Sequence, residues 1–381
     1  MKNFEIVVKT LFGFEEILAT EIQNIGGTDI EILTRAVKFT GTQEHLYKAN
    51  YLFRTAIKVL KPIARFSVEN ETDLYKKIRE ISWTDYMTVD QTFAIDGMTS
   101  GETFKHSKFV ALKCKDAVVD QFRDKYGVRP SVNIDNPDLR INIHISEKMC
   151  TVSLDSSGSS LGKRGYKMQQ TLAPLSEVLA AGILMLSGWD GKNCFVDAMC
   201  GSGTFAIEAA IIAANIPAGN WRNFTFEKWK DFDAVLWTKI KNEAQKSVVP
   251  VSAEIWGFDI DKRAIEISRS NTIRAGLDKY IRFKLVDFLK SEKPSEKGIL
   301  FMNPPYGERL EEKERMLLFY KEIGTRLKHF YNGFDAWVLS GNYEALKHFG
   351  LHPSKKIKLY NGPIECRLHK YEIYSGSKKS N

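Results

Sequence analysis

The apolar positions of this 381-residue chain change their period along its length. Near the start, Phe4-Glu5-Ile6-Val7-Val8 reads as a short strand. Phe14, Ile17, Leu18 and Ile22 then recur at helical spacing, before further strand-like text. This predicts a small α+β unit over residues 1–62. Residues 63–155 alternate again: a helix near 74–81, a strand over 91–96, a helix over 108–126, then strands over 141–145 and 150–155. Gly127-Val128-Arg129-Pro130 stops the long helix. Ser156-Ser157-Gly158-Ser159-Ser160 reads as a flexible linker.

Beyond it, short apolar runs end in acids or an amide. They are Phe195-Val196-Asp197, Ile255-Trp256-Gly257-Phe258-Asp259, a run over 281–287 ending in Asp287, and Gly298-Ile299-Leu300-Phe301-Met302 before Asn303. Helix-forming text lies before the first of them, from Ala173-Pro174-Leu175-Ser176-Glu177 to Leu186 with Pro174 in a first turn, and after it, over 205–214. Strands alternating with helices predict an open α/β sheet over residues 156–381. One spacing breaks the rhythm. Asp197 and Asp259 lie 62 residues apart, where a simple strand-helix-strand unit puts such an acid roughly 20 residues after its glycines. The inserted residues 217–250 carry Trp221, Phe224, Phe226, Trp229, Phe232 and Trp237. These aromatics either hold a nucleic acid or form a hydrophobic cap over one sheet edge, and packing is the commoner use of large rings.

The sharpest chemistry follows the run over 298–302. Asn303-Pro304-Pro305-Tyr306 sets an amide, a constrained backbone carbonyl and an aromatic ring at a strand end, where open α/β sheets bind ligands. The exocyclic amine of a nucleobase is a poor nucleophile because its lone pair is delocalised into the ring. Two acceptors, the Asn303 side-chain oxygen and the Pro304 carbonyl, can draw on its N–H bonds while the Tyr306 face stacks on the base. The plainer reading is a Pro-Pro turn with a capping Asn.

Upstream, Asp197-Ala198-Met199-Cys200-Gly201-Ser202-Gly203-Thr204 joins a strand to a helix through a glycine turn, a cradle for a nucleotide-like group. It has neither the glycine spacing of a dinucleotide site nor the Lys-Ser/Thr ending of a triphosphate loop, which favours a cofactor without phosphates. Asp259 can take two ribose hydroxyls, and Asp287 is positioned for an adenine edge. Either acid alone is more often a helix cap. Lys163-Arg164-Gly165-Tyr166-Lys167 groups three cations with an aromatic, suited to phosphate contact and base stacking or to a charged hinge.

Together, Asp197 to Thr204, Asp259, Asp287 and Asn303 to Tyr306 resemble the class I S-adenosylmethionine-dependent methyltransferases that act on exocyclic amino groups. Gly307-Glu308-Arg309-Leu310, the segment from Leu161 to Lys167 and Asn361-Gly362-Pro363-Ile364-Glu365-Cys366 narrow the resemblance to bacterial 23S rRNA guanine-N2-methyltransferases bearing a THUMP domain. It covers nearly the whole chain. The resemblance implies a ferredoxin-like unit at 1–62, a THUMP RNA-binding module at 63–155, and a Rossmann-like domain with a mostly parallel seven-stranded sheet. It further implies S-adenosyl-L-methionine as cofactor, S-adenosyl-L-homocysteine as product and no metal. Asp197, Met199, Cys200, Gly201, Ser202, Gly203, Thr204, Asp259, Asp287, Asn303 and Pro174 are the implied cofactor residues. Asn303, Pro304, Pro305 and Tyr306 are the implied catalytic loop, and Lys163, Arg164, Tyr166, Lys167 and Arg309 the implied RNA contacts. The partner would be 23S rRNA or an assembling ribosomal particle. Larger members carry a second methyltransferase domain, so one methylation activity is expected here.

Composition bounds this picture. With 43% hydrophobic residues the chain is globular, and its length suits two or three units. The longest apolar stretches, 178–186 and 206–214, are too short to span a bilayer. Met1-Lys2-Asn3-Phe4-Glu5 shows no charged-then-apolar-then-small pattern, so no export signal is expected. The five cysteines, Cys114, Cys150, Cys194, Cys200 and Cys366, show no paired spacing, so reduced cytoplasmic thiols are expected. The net charge of +8 is unevenly spread: −1 over residues 1–160, +3 over 161–320 and +6 over 321–381. Lys347, Lys355, Lys356 and Lys358 could therefore meet phosphates, or form a solvated basic surface. A tRNA guanine-N2, a DNA adenine-N6 and a protein glutamine methyltransferase are the rival enzymes, and a non-enzymatic RNA-binding protein is a rival of another class.

Overall fold

The computed structural model describes residues 2–167, 175–307 and 313–374. Seven strands form the first sheet: β1 (Phe4–Thr10), β2 (Thr28–Leu33), β3 (Ala36–Gly41), β4 (Ala56–Ser67), β5 (Phe93–Ser100), β6 (Leu139–Ser146) and β7 (Met149–Asp155). Their order is β2-β3-β1-β4-β7-β6-β5, and helices α1 (Glu15–Asn24), α2 (Gln43–Leu52), α3 (Glu71–Glu80) and α4 (Ser107–Tyr126) connect them. The first four strands and two helices follow the β-α-β-β-α-β order of a ferredoxin-like unit. The long strand β4 is shared. Its first half pairs with β1 and its second half with β7, with a register shift between Pro62 and Ala64. Proline has no N–H to give to a ladder, which suits it to such a break. The expected boundary at 62/63 thus falls inside one strand.

The segment expected as a flexible linker is held firmly. Ser156 and Ser157 are buried. The Ser156 hydroxyl donates to the Val59 carbonyl, the Ser157 hydroxyl accepts from the Val59 N–H, and Asn50 bonds both serines. Arg222 donates to the carbonyls of Ser157, Ser159 and Ser160. Serine is as able to satisfy buried backbone as to stay solvated, and composition does not separate the two uses.

The second sheet contains β8 (Cys194–Asp197), β9 (Ile255–Asp259), β10 (Ile281–Leu285), β11 (Gly298–Met302), β12 (Phe334–Ser340), β13 (Lys355–Asn361) and β14 (Ile364–Glu372). The order is β10-β9-β8-β11-β12-β14-β13. All neighbours run parallel except β14, antiparallel to both β12 and β13. Helices α5 (Glu177–Ser187), α6 (Thr204–Ala213), α7 (Ala234–Lys246), α8 (Lys262–Ala275), α9 (Lys313–Phe330) and α10 (Tyr343–Lys347) complete the chain. Parallel strands covered on both faces must be apolar on both, which is why 298–302 and 194–196 read as continuous hydrophobic text. One face packs against Leu179, Ile183, Phe205 and Ala209, and the other against Tyr320, Ile323 and Leu327. Among the described residues no helix is long and apolar enough to cross a membrane.

The chain forms two compact units that exchange segments. One contains residues up to Thr10, Leu18–Leu161 and Arg222–Glu243, and the other Leu11–Ile17, Gly162–Trp221 and the chain from Ala244 onward. The aromatic insertion therefore belongs largely to the first unit. Phe226 stacks on Tyr47 of α2 at 4.3 Å, and Trp237 meets the ring of Tyr51 edge-on at 5.2 Å. Packing is its role, but in the first unit instead of over an edge of the second sheet. In the reverse direction, Phe14 is fully buried in the second unit, where a side chain at Gly182 would approach its ring to 2.3 Å. Phe14→Ala should cost about 3–5 kcal/mol of stability in denaturant unfolding. A loss under about 1 kcal/mol would mean that the second unit does not depend on this segment.

Candidate active site

Sheet order reverses at β8, where β9 continues the sheet on one side and β11 on the other. Connections leave to opposite faces there, the place where open α/β sheets hold ligands outside the carboxyl ends of the strands. The turn after β8 is stapled to both neighbours. The Ala198 N–H donates to the Phe301 carbonyl at 2.8 Å and the Cys200 N–H to the Phe258 carbonyl at 2.8 Å. Gly203 closes the turn onto Cys200 and adopts φ +78°, a conformation glycine takes without strain, before Thr204 opens α6. Met199 packs against the core on the α9 side of the sheet. Burial pushes the Cys200 thiol well above its ordinary range, so it stays neutral and fills space.

Two residues unforeseen from sequence grip this turn from α8. The Ser268 hydroxyl donates to the Gly201 carbonyl at 2.8 Å, and the Asn271 amide to the Ser202 carbonyl at 3.1 Å. Both are fully buried. Their signal was present: Ser268, Asn271 and Thr272 put polar groups at helical spacing on the face that α8 buries. Ile260, directly after Asp259, is 71% exposed, an apolar side chain on the carboxyl edge of the sheet.

Three acids take different roles. Asp197 is 1% exposed, and its carboxyl is pushed up to about 8, mainly by burial and further by Asp259. One of its oxygens accepts from the Ala206 N–H at 3.4 Å, while the other has no hydrogen-bond partner among the described residues. Such an orphaned buried oxygen is costly unless a donor arrives, and it fits an ammonium group. Asp259 accepts from the Gly201 N–H at 2.8 Å and from the Asp261 N–H at 2.9 Å. It braces the turn and still has lone pairs for hydroxyl donors. Asp287 lies two residues past β10, which ends at Leu285, and accepts from the Leu289 N–H as a helix cap.

At the end of β11, the Asn303 side-chain oxygen accepts from the Tyr306 hydroxyl at 2.7 Å. The expected free acceptor and stacking ring are thus joined to each other. Burial pushes the Tyr306 hydroxyl well above its usual range, so it is a donor and not a base. The loop is braced from three sides. Tyr320 of α9 donates to the Pro305 carbonyl, Asn342 donates to the Tyr306 carbonyl, and the Cys366 thiol lies 3.6 Å from the Tyr306 hydroxyl. Pro304 is buried and Pro305 exposed.

The basic segment departs from its expected role. Arg164 and Tyr166 are each 1% exposed. Tyr166 donates to Glu208 of α6 at 2.9 Å, and Arg164 approaches the same oxygen at 3.5 Å. These two side chains are internal struts, which corrects their assignment to RNA contact. Lys167 donates to the Leu175 carbonyl at 2.8 Å and to the Thr204 hydroxyl at 3.0 Å, tying the segment to the start of α6. Lys163 remains exposed. Pro174 and Arg309 lie outside the described residues. Of the late lysines, Lys347 and Lys358 pair with Glu344 and Glu365, while Lys355 and Lys356 are exposed.

Residues 164–370 match the family described as RMKL-like, methyltransferase domain. Residues 68–155 match the THUMP domain, and residues 5–60 the RlmL ferredoxin-like domain. The chain is 39% identical over 373 residues to a ribosomal RNA large subunit methyltransferase K/L of Syntrophotalea carbinolica, covering 95% of this chain and 52% of that protein. It therefore spans about half the length of that relative. It is 38% identical over 364 residues to a putative RNA methyltransferase of Synechocystis, covering 95% of each. A crystal structure of a putative methyltransferase complexed with SAH superimposes with a TM-score of 0.89 at 29% identity, covering 99% of this chain and all of that one.

Asp197 yields a prediction with a definite sign. Its carboxyl is raised from 3.8 to about 8, so folding disfavours the ionised form. Stability is then fully present below pH 3.8 and lost as pH rises towards 8. Asp197→Asn should flatten that part of the thermal-midpoint profile. An unchanged slope between pH 5 and 8 would show that other groups control it.

Proposed function

The chain belongs to the RMKL-like methyltransferase family, with an RlmL ferredoxin-like domain and a THUMP domain, and we propose that it methylates the N2 amine of a guanine in 23S ribosomal RNA from S-adenosylmethionine. The observation carrying this reading is the loop Asn303-Pro304-Pro305-Tyr306 at the carboxyl end of β11, next to the strand whose glycine turn forms a cradle. The names of the relatives favour RNA, and the SAH in a similar structure favours this cofactor. Residues 63–155 are the proposed RNA-binding module and residues 156–381 the proposed catalytic part, acting in the cytoplasm on rRNA or an assembling particle.

Asp197, with its unpartnered oxygen, would hold the ammonium of the cofactor's amino-acid end. The turn from Met199 to Thr204 would line the cofactor, Asp259 would take the ribose hydroxyls, and Asp287 would face the adenine edge. When bound, the cofactor supplies a sulfonium methyl that is already electrophilic. The protein's task is then alignment and exclusion of water. Asn303 and the Pro304 carbonyl accept the two N–H bonds of the amine, drawing its lone pair out of the purine ring. Tyr306, kept neutral by burial, offers its face to the base. Transfer would leave S-adenosyl-L-homocysteine as the thioether product, and the surplus amine proton would pass to solvent as the products depart. A paired guanine hides N2, so the target must be turned out of its helix.

Labelled donor incubated with separated rRNA, tRNA, DNA and protein should mark 23S rRNA, at guanine N2 by mass mapping. Label confined to any of the other three would overturn the substrate assignment. Asn303→Ala should keep cofactor affinity in calorimetry while transfer drops at least about 100-fold. Undiminished transfer would remove Asn303 from the mechanism. Tyr306→Phe keeps the ring and removes the hydroxyl that occupies Asn303, so transfer should stay within about tenfold of wild type, whereas Tyr306→Ala should lose more through stacking.

A further inference from the structure

We propose that the first unit carries a cavity for one unstacked nucleobase of a single-stranded RNA segment, formed by residues 84–89 and the end of α4 together with Lys230 of the aromatic insertion. This rests on the RNA-substrate reading above and adds a second contact point for that substrate.

The cavity measures about 210 Å³. Its floor is apolar, made by the fully buried Met87 and Phe122, and its wall is the ring of Tyr126, 50% exposed. Tyr126 is the last residue of α4. The helix stops on Gly127 in the left-handed conformation, which leaves the ring at the helix end, one turn after Phe122. The two rings lie 6.0 Å apart, tilted by 34°. A half-exposed tyrosine backed by a buried phenylalanine is a stacking platform, and every base has a face that suits it. Thr84 and Thr88 add hydroxyls at the rim for base-edge hydrogen bonds.

Cations gather on the same rim. Lys230 donates to the Thr84 carbonyl at 2.7 Å, and Lys125 donates to the Thr84 hydroxyl at 3.3 Å while lying over the Tyr126 ring at 5.4 Å. The insertion that brings Lys230 is firmly seated in this unit. Trp229 is buried, and Lys228 pairs with Asp138 at 3.2 Å. Asp85 and Asp90 are exposed in the segment that lines the cavity. They interrupt any continuous basic track of the kind a duplex backbone needs, whereas a single nucleotide requires one phosphate contact and one stacking face.

The test uses a short single-stranded oligoribonucleotide with 3′ fluorescein, read by anisotropy against the full chain, and the same sequence as a duplex. Tyr126→Ala should weaken single-strand binding about tenfold, and Tyr126→Phe should restore it. Lys230→Ala should weaken binding and lower the salt slope by about one. Duplex affinity should change less than about twofold, because paired bases do not reach the platform. Thermal midpoints and cofactor affinity confirm that each variant is folded. If the wild type binds and methylates RNA while Tyr126→Ala binds equally well, the cavity is refuted and the RNA reading stands. If the wild type binds no RNA, both fall. Unchanged RNA affinity with altered sedimentation of Tyr126→Ala would give the cavity to a second copy of the chain and overturn the proposal.

Discussion

At the point where the second sheet reverses its order, the backbone groups that follow β8 lie between two strands and must find partners on them. The chain meets this by turning sharply and donating Ala198 to the strand on one side and Cys200 to the strand on the other. Everything at the site follows from that double staple. It fixes the glycine turn, starts α6, and brings the end of β11 alongside. Because β8 contributes only four residues, all buried, a small shift in its register would move Asp197 and the turn together. Helix α8 gives the second anchorage through Ser268 and Asn271, side chains of little conformational entropy that replace water at the turn's carbonyls.

Much of this was legible because parallel strands leave a plain signature. The runs over 255–259 and 298–302 coincide with β9 and β11, since a strand covered on both faces has no polar alternation to blur its ends. The stop after α4 was legible because Gly127 adopts a conformation that other residues resist. What failed to be read depends on partners distant in the chain. Arg164 and Tyr166 look like surface chemistry until Glu208, on the other side of the glycine turn, is seen to receive both. Asp287 read as a strand end because Leu285-Val286 is apolar, yet the strand stops short of it. The Ser156–Ser160 stretch shares its composition with flexible linkers, and only the carbonyls of Val59 and the guanidinium of Arg222 reveal it as structural.

The exchange of segments between the two units has a similar cause. A hydrophobic side chain is drawn to the core that can desolvate it, wherever that core lies along the chain. Phe14 follows a strand of the first unit and is buried in the second, while Phe224, Phe226 and Trp237 interrupt the second and complete the first. Each core therefore closes only when residues remote in sequence have arrived. A sharp division of the chain at 155/156 would separate both cores from rings that fill them, although the periodicity of the text changes at that place.

The bond between Tyr306 and Asn303 bears on how the proposed chemistry could begin without a large barrier. An amide oxygen left bare in a half-buried loop would be poorly solvated, and the phenol satisfies it until a base arrives. Under the proposed function, an incoming amine offers an N–H where the hydroxyl was, so one hydrogen bond replaces another. The net change on entry is then dominated by stacking of the base and by release of water. The Tyr306 hydroxyl, kept neutral by burial, still accepts from the Cys366 thiol at 3.6 Å, a weak donor that holds it only loosely. On that proposal a nitrogen without two N–H groups would not satisfy both Asn303 and Pro304, so the loop proposed to lower the barrier for an exocyclic amine would also reject ring nitrogens, through the unpaired acceptor they would leave behind.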